Sequence, residues 1–249
     1  MVNSWLIFGG IGMLFVGIYA FYYSRGKGKS IFLAMGLITW IIAIAIKTLM
    51  DITITKSFLS LIDPKYILIS ECMYFGLRTG ILESGLSYIF ILKIHRKFRY
   101  NDAISFGLGF GGIEAIMLGI SNISNILLFI FIPSTLEQIP IKQRMIIERQ
   151  LNQSTLNVFA PIIERAVTIV IHVFATILVF LAIKYGIKKY LVLSIIYKSI
   201  VDGIIPLLNP LLLNPTIYNV YLAETPFITI CIISILILKL VDFRKYLDR

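Results

Sequence analysis

Apolar stretches of about 20 residues recur along almost the whole chain, and that pattern leaves few folds open. Inside a bilayer no water satisfies the backbone, so only helices and closed barrels can span it. A barrel shows alternating segments of about ten residues, and none are visible here. The expectation is an all-α polytopic membrane helix bundle with about seven spans, near 5–23, 30–50, 66–92, 102–132, 161–184, 189–213 and 219–240. Charged residues make up only 14% of the chain, against roughly 25% in a soluble domain. The third and fourth spans exceed the length a crossing needs and are predicted to tilt. For the fourth, a break near Ser121-Asn122 or Ser124-Asn125 is the alternative. No soluble domain or low-complexity linker interrupts the spans, so residues 1–249 read as a single integral membrane domain. The first span has no basic segment before it and reads as a retained helix, not a cleaved signal.

The net charge of +10 is arranged by side. Arg25, Lys27 and Lys29 follow the first span, and Lys93, Arg96, Lys97 and Arg99 follow the third. Lys184, Lys188 and Lys189 follow the fifth; Lys239, Arg244, Lys245 and Arg249 follow the seventh. These alternate connections hold fourteen of the 23 cations. The positive-inside rule then puts the N-terminus outside and the C-terminus in the cytoplasm. The basic charge reads as a topology signal and an attraction for anionic lipid. A nucleic-acid role is excluded, because no loop joins a long basic patch to interleaved stacking aromatics. His95, in one basic connection, is expected to be solvated. On the opposite side, Lys142 to Val158 mixes Ile146, Ile147, Leu151 and Leu156 with Arg144, Glu148 and Arg149. That mixture suits an amphipathic surface helix, beside the entrance to a cavity, and equally a polar loop with some helix.

Polar residues inside the spans carry the remaining information, because a charge at the bilayer centre costs about 2.5–3.5 kcal/mol on insertion scales. Gly107, Gly109, Gly111 and Gly112 precede Glu114 in the fourth span. Ala103, Gly107, Gly111, Ala115 and Gly119 form an i, i+4 stripe of small residues, where membrane helices pack backbone against backbone. The third span carries Glu71, Arg78 and Glu83; Glu71 and Arg78 share a face and are expected to pair, bridged by Tyr74. The fifth carries Glu164, Arg165 and His172. Lys198 and Asp202 in the sixth are four apart and are expected to neutralise each other. Glu83, Glu114 and His172 are the candidate catalytic residues, with a carboxylate as general base on water. No metal or cofactor is expected: there is no HExxH, and one intramembrane histidine is thin support for zinc. Cys72 and Cys231 have no ligand spacing and read as small apolar core residues. No G-x-S-x-G context occurs, and no inverted repeat of discontinuous helices supports a transporter.

The segment from Asn101 to Ala115, with its Gly107-Leu-Gly109-Phe110-Gly111-Gly112-Ile113-Glu114-Ala115 core, resembles the hallmark of the YhfC-type glutamic intramembrane protease family, written roughly G-x-G-H-G-G-x-E-A. Glu164-Arg165 followed by His172 looks like the family's E-R … H helix, and Tyr190 to Asp202 looks like its next helix, ending in H-x-x-x-D. Residues 81–88 fall where the family has E-E-x-x-R-Y. The resemblance covers about 30–212. It implies a bundle similar to the CAAX prenyl protease and bacteriocin-processing families, in the plasma membrane of a prokaryote, where a buried glutamate activates water for peptide cleavage. Glu114, Glu164, Arg165, His172 and Asp202 fit the pattern. Phe110 and Lys198 stand where histidines are expected, and Ser84 and Ser87 replace a glutamate and an arginine. Two readings stay open. One is a diverged peptidase using Glu83 or Glu114 with His172. The other, favoured because the losses fall at the proposed chemistry, is a non-catalytic relative. It would contact membrane lipid and bind a transmembrane helix of another protein, or serve as a subunit of a larger membrane complex.

Overall fold

The computed structural model describes residues 2–93 and 98–248; His95, Arg96, Lys97 and Arg249 therefore lie outside the described residues. Among the described residues the chain is helical with no strand. The helices are α1 (Ile7–Ser24), α2 (Ser30–Met50), α3 (Lys56–Ser60), α4 (Ile67–Thr79), α5 (Gly85–Lys93), α6 (Tyr100–Phe131), α7 (Ile141–Leu151), α8 (Phe159–Tyr185), α9 (Lys188–Gly203), α10 (Ile205–Leu212), α11 (Ile217–Leu240) and α12 (Phe243–Asp248). Wider π turns join α2 to α3 through Asp51–Thr55 and α4 to α5 through Gly80–Ser84.

Among the described residues six helices are long and apolar enough to cross a membrane: Ser4–Ser24, Ser30–Ser60, Tyr100–Phe131, Thr155–Tyr185, Lys188–Leu212 and Ile217–Leu240. Each coincides with an expected span. The remaining expected span is the continuous helical run through α4, the π turn and α5, which carries Glu71, Arg78 and Glu83 and is correspondingly more polar. The break anticipated at Ser121-Asn122 or Ser124-Asn125 is not made. Helix α6 runs unbroken from Tyr100 to Phe131, since Ser and Asn lower helix propensity without removing a backbone donor. The sixth span divides instead between α9 and α10, after Gly203 and just before Pro206.

Local chemistry sets the ends. Asp102 accepts from the backbone N–H of Arg99 and of Lys29, both at 2.8 Å, so one carboxylate caps α6 and anchors the α1–α2 connection. Gly186, at φ 66°, ends α8 in the left-handed region that favours glycine. The amphipathic segment forms α7, with an Arg144–Glu148 pair one turn apart.

Helix α8 is the central post: 72% of its most apolar stretch is buried inside the protein. Around it, α6 packs on α1, α2 and α8, α11 packs on α8, and α9 packs on α8 and α4. The small-residue stripe of α6 faces more than one neighbour. A Cβ on Gly107 would lie 2.5 Å from Val173 Cα of α8, and one on Gly119 would lie 2.7 Å from Gly10 O of α1. Gly111 also abuts α8, at Ile169, while Ala103 and Ala115 are fully buried. Gly109, off the stripe, meets the backbone of α2 at Leu33. The glycine-rich motif is thus the seat of three helices, which brings the polar residues of α2, α6 and α8 within reach of one another.

Candidate functional site

A chain of charged side chains runs through the interior, assembled from five parts of the fold. At one end, Arg165 of α8 donates to Glu114 of α6 through Nη1 and to Glu164 through Nη2. Trp40 of α2 donates its indole N–H to Glu114 Oε2 at 3.1 Å, and His172 Nε2 lies 2.8 Å from the same oxygen. Lys198 Nζ of α9 is 2.8 Å from His172 Nδ1 and 2.6 Å from Glu83 Oε2. Lys47 Nζ of α2 donates to Glu83 Oε1 at 2.6 Å and lies 3.8 Å from Asp202 Oδ2. Thr79 donates to that aspartate oxygen at 2.5 Å. The contacts of Glu83 Oε2 with Lys198 and of His172 Nε2 with Glu114 are close approaches that miss good hydrogen-bond angles.

The polarity of this chain fixes the histidine tautomer. An ammonium has donors only, so His172 Nδ1 accepts from Lys198 and the ring proton sits on Nε2, facing Glu114. Glu83, His172 and Lys198 are each 5% exposed or less. The π turn helps to bury Glu83, because the extra residue widens the helix there and Gly80, Glu83 and Ser84 all turn inward. Gly80 lets α9 approach until its Cβ position would touch Ile195 and Ser199. The ring of Phe110 packs 4.7 Å from the His172 ring and 5.5 Å from Lys198 Nζ. The cavity bounded by Glu83, Phe110, His172 and Lys198 has a volume of about 10 Å³, at the lower limit of the ~10–15 Å³ that one water needs.

The structure brings all three candidate catalytic residues, Glu83, Glu114 and His172, into this network, together with Glu164, Arg165, Lys198 and Asp202. Two expected pairings are not formed. Lys198 reaches across to Glu83 and His172 instead of to Asp202, which is held by Thr79 and Lys47. Arg78 pairs with Asp51 from the first π turn instead of with Glu71, and Tyr74 bonds Thr55 at 2.9 Å. In both cases a partner on another helix offered better geometry than one along the same helix. Ser84 and Ser87 do structural duty: Ser84 bonds Ser194 of α9 at 2.9 Å, and Ser87 donates to Glu83 O at 2.7 Å.

Sequence reasoning missed Lys47, Trp40, Thr79 and Glu224. Lys47 had a legible signal, being the one charged residue of α2. Glu224, in the last span, was equally visible as a lone carboxylate in an apolar helix. Trp40 and Thr79 carried none, since neither is unusual in a membrane span.

Fold and site together define an integral membrane protein of intramembrane protease-like type, a helix bundle around a buried carboxylate, histidine and lysine network. The chain belongs to the YhfC family: the family model described as YhfC intramembrane metalloprotease matches residues 12–226. No curated protein and no solved structure matches the chain. The metal in that description does not fit the residues present. No three His, Cys, Asp or Glu side chains among the described residues converge as a ligand set. Glu83 and His172 converge on the ammonium of Lys198, with Lys47 on the other oxygen of Glu83. A divalent ion there would face two fixed positive charges at close range, with nothing to displace them.

Proposed function

We propose that this chain is a non-catalytic member of its family, which binds a transmembrane helix of another protein or serves as a subunit of a larger membrane complex. One observation carries the reading: both candidate carboxylates are already engaged from within. Glu83 is held by Lys47 and Lys198, and Glu114 by Arg165, Trp40 and the Nε2 side of His172. A general base needs a lone pair aimed at a water with room to move, and the 10 Å³ cavity has room for at most one water and none for a substrate. Phe110 and Lys198 add no proton carrier: phenylalanine cannot transfer a proton, and this ammonium is committed to two acceptors.

The binding half of the proposal is supported by a lateral apolar groove of about 910 Å³. Phe174, Leu178 and Leu181 of α8 line it, with α9 on one side and the end of α11 together with α12 on the other. A neighbouring apolar helix fits such a groove by shape and dispersion, the forces that associate helices in lipid. The orientation proposed has the N-terminus outside and the C-terminus in the cytoplasm of a prokaryotic plasma membrane, from the fourteen cations on alternate connections.

Reconstituted protein incubated with single-span peptides tests the reading. The expected outcome is no cleavage, with a photoreactive group at Leu193 in the groove crosslinking a bound helix. Phe110→His should stay inactive, because Lys198 still occupies the centre. Cleavage lost in Glu114→Gln would establish instead the second reading, an active peptidase. That reading draws its support from the 2.8 Å Glu114–His172 approach.

A further inference from the structure

Beyond the Glu164 end of the charged network, a cavity of about 570 Å³ opens at the end of the bundle where α7 lies. Residues of α6, α7, α8, α10 and α11 surround it, within the 300–1,000 Å³ range of small-molecule sites. Its walls are largely apolar, including Leu6, Ile126, Phe129, Val158, Leu212 and Val220. Its polar atoms are unbalanced. Glu224 of α11 is 8% exposed and its Oε2 is buried with no hydrogen-bond partner. Asn157 is 3% exposed; both protons of its amide nitrogen are used, on Gln153 Oε1 and Pro215 O, and its Oδ1 is left unpartnered. Glu164 lines the same space, and its guanidinium partner Arg165 is shared with Glu114. No lysine or arginine lines the cavity among the described residues.

Buried acceptors without donors are costly, and more so when one is a carboxylate. The donors on the lining are the neutral carboxamides of Asn122, Asn125, Gln150 and Gln153, so what is missing opposite the carboxylates is a charged donor. We propose that this cavity binds a primary amine: an alkylammonium whose N–H groups bond Glu224 and Asn157 while its chain lies along the apolar wall. A bare metal ion would leave most of the space empty. A quaternary ammonium would leave the acceptors unsatisfied, and one phenylalanine, Phe129, is not an aromatic cage. The site meets the charged network only at Glu164 and includes neither Glu83, Glu114, His172 nor Lys198, so the inference stands whether or not those residues are catalytic.

Calorimetric titration of the full-length protein in neutral detergent tests this, with octylammonium as probe. Saturable one-to-one binding is expected, at least about tenfold weaker for octanol and octyltrimethylammonium, the cost of losing charged hydrogen bonds. Glu224→Gln, close to isosteric, should weaken octylammonium by a similar factor. Gln150→Glu, on the exposed lining, should tighten it severalfold at low salt and keeps the test open if the first variant folds poorly. Repeating the titration in nanodiscs of phosphatidylcholine, with and without phosphatidylethanolamine, separates two sources of the amine. Competition by phosphatidylethanolamine assigns a lipid headgroup, and equal affinity in both assigns a free amine. Octanol binding as tightly as octylammonium, or octylammonium binding unchanged in both variants, would overturn the proposal.

Discussion

Lys198 Nζ lies 2.6 Å from Glu83 Oε2, tying α9 to the π turn between α4 and α5. Both side chains are buried, at 5% and 6% side-chain exposure. Taking two such charges out of water is repaid only when geometry and additional hydrogen bonds are good. Here Lys47 holds the second carboxylate oxygen and His172 accepts from the ammonium, so the pair is supported on both sides.

Removing one partner should expose that dependence. Lys198→Met leaves Glu83 with Lys47 alone and is expected to cost about 3–5 kcal/mol. Lys198→Met combined with Glu83→Gln should recover a large part of this, whereas Lys198→Met with Asp202→Leu should not. Thermal unfolding in detergent, arranged as a double-mutant cycle, measures the coupling. A coupling to Asp202 larger than that to Glu83 would contradict the observed geometry.

Arg165 serves two carboxylates at once, Glu114 and Glu164, through separate nitrogens. A lysine is a single point charge and cannot reproduce that fork. Arg165→Lys should thus destabilise by about 1–3 kcal/mol, and Arg165→Met by about 3–5 kcal/mol. The ordering of the two unfolding temperatures checks it; equal values would mean that one of the two contacts carries nothing.

Gly109 and Gly85 should respond oppositely to the same change. A Cβ on Gly109 would run into the Leu33 carbonyl of α2, a backbone atom that cannot rotate away, while a Cβ on Gly85 would meet nothing within 4 Å. Gly109→Ala is expected to cost about 1–3 kcal/mol through overpacking. Gly85→Ala should be neutral or stabilising by up to about 1 kcal/mol, because alanine favours the helix. Monodisperse yield on size exclusion and unfolding temperature report both.

Topology follows from labelling single cysteines in a cysteine-free background in intact cells. Both Lys27 and Pro140 are exposed on the protein. Lys27→Cys should be protected from an impermeant maleimide and Pro140→Cys should react. The reverse pattern would invert the proposed orientation.

The span boundaries were legible in the sequence because membrane hydropathy acts locally: α2 runs Ser30–Met50 where 30–50 was expected, and α8 and α11 end within two residues of their forecasts. The packing role of Gly107, Gly111 and Gly119 was legible for the same reason, since absence of a side chain is a property of the residue itself. Pairing of the charges was not. Glu71 with Arg78, and Lys198 with Asp202, were natural choices along one helix, yet Asp51, Glu83 and His172 from other helices took those cations. The sequence by itself determined which long segments are apolar enough to cross a membrane as helices and which residues must find partners. Only the tertiary structure decided who those partners are. The reason is geometric: a buried charge bonds whatever the rotation and depth of neighbouring helices bring within 3 Å, and those are set by the packing of whole helices against one another.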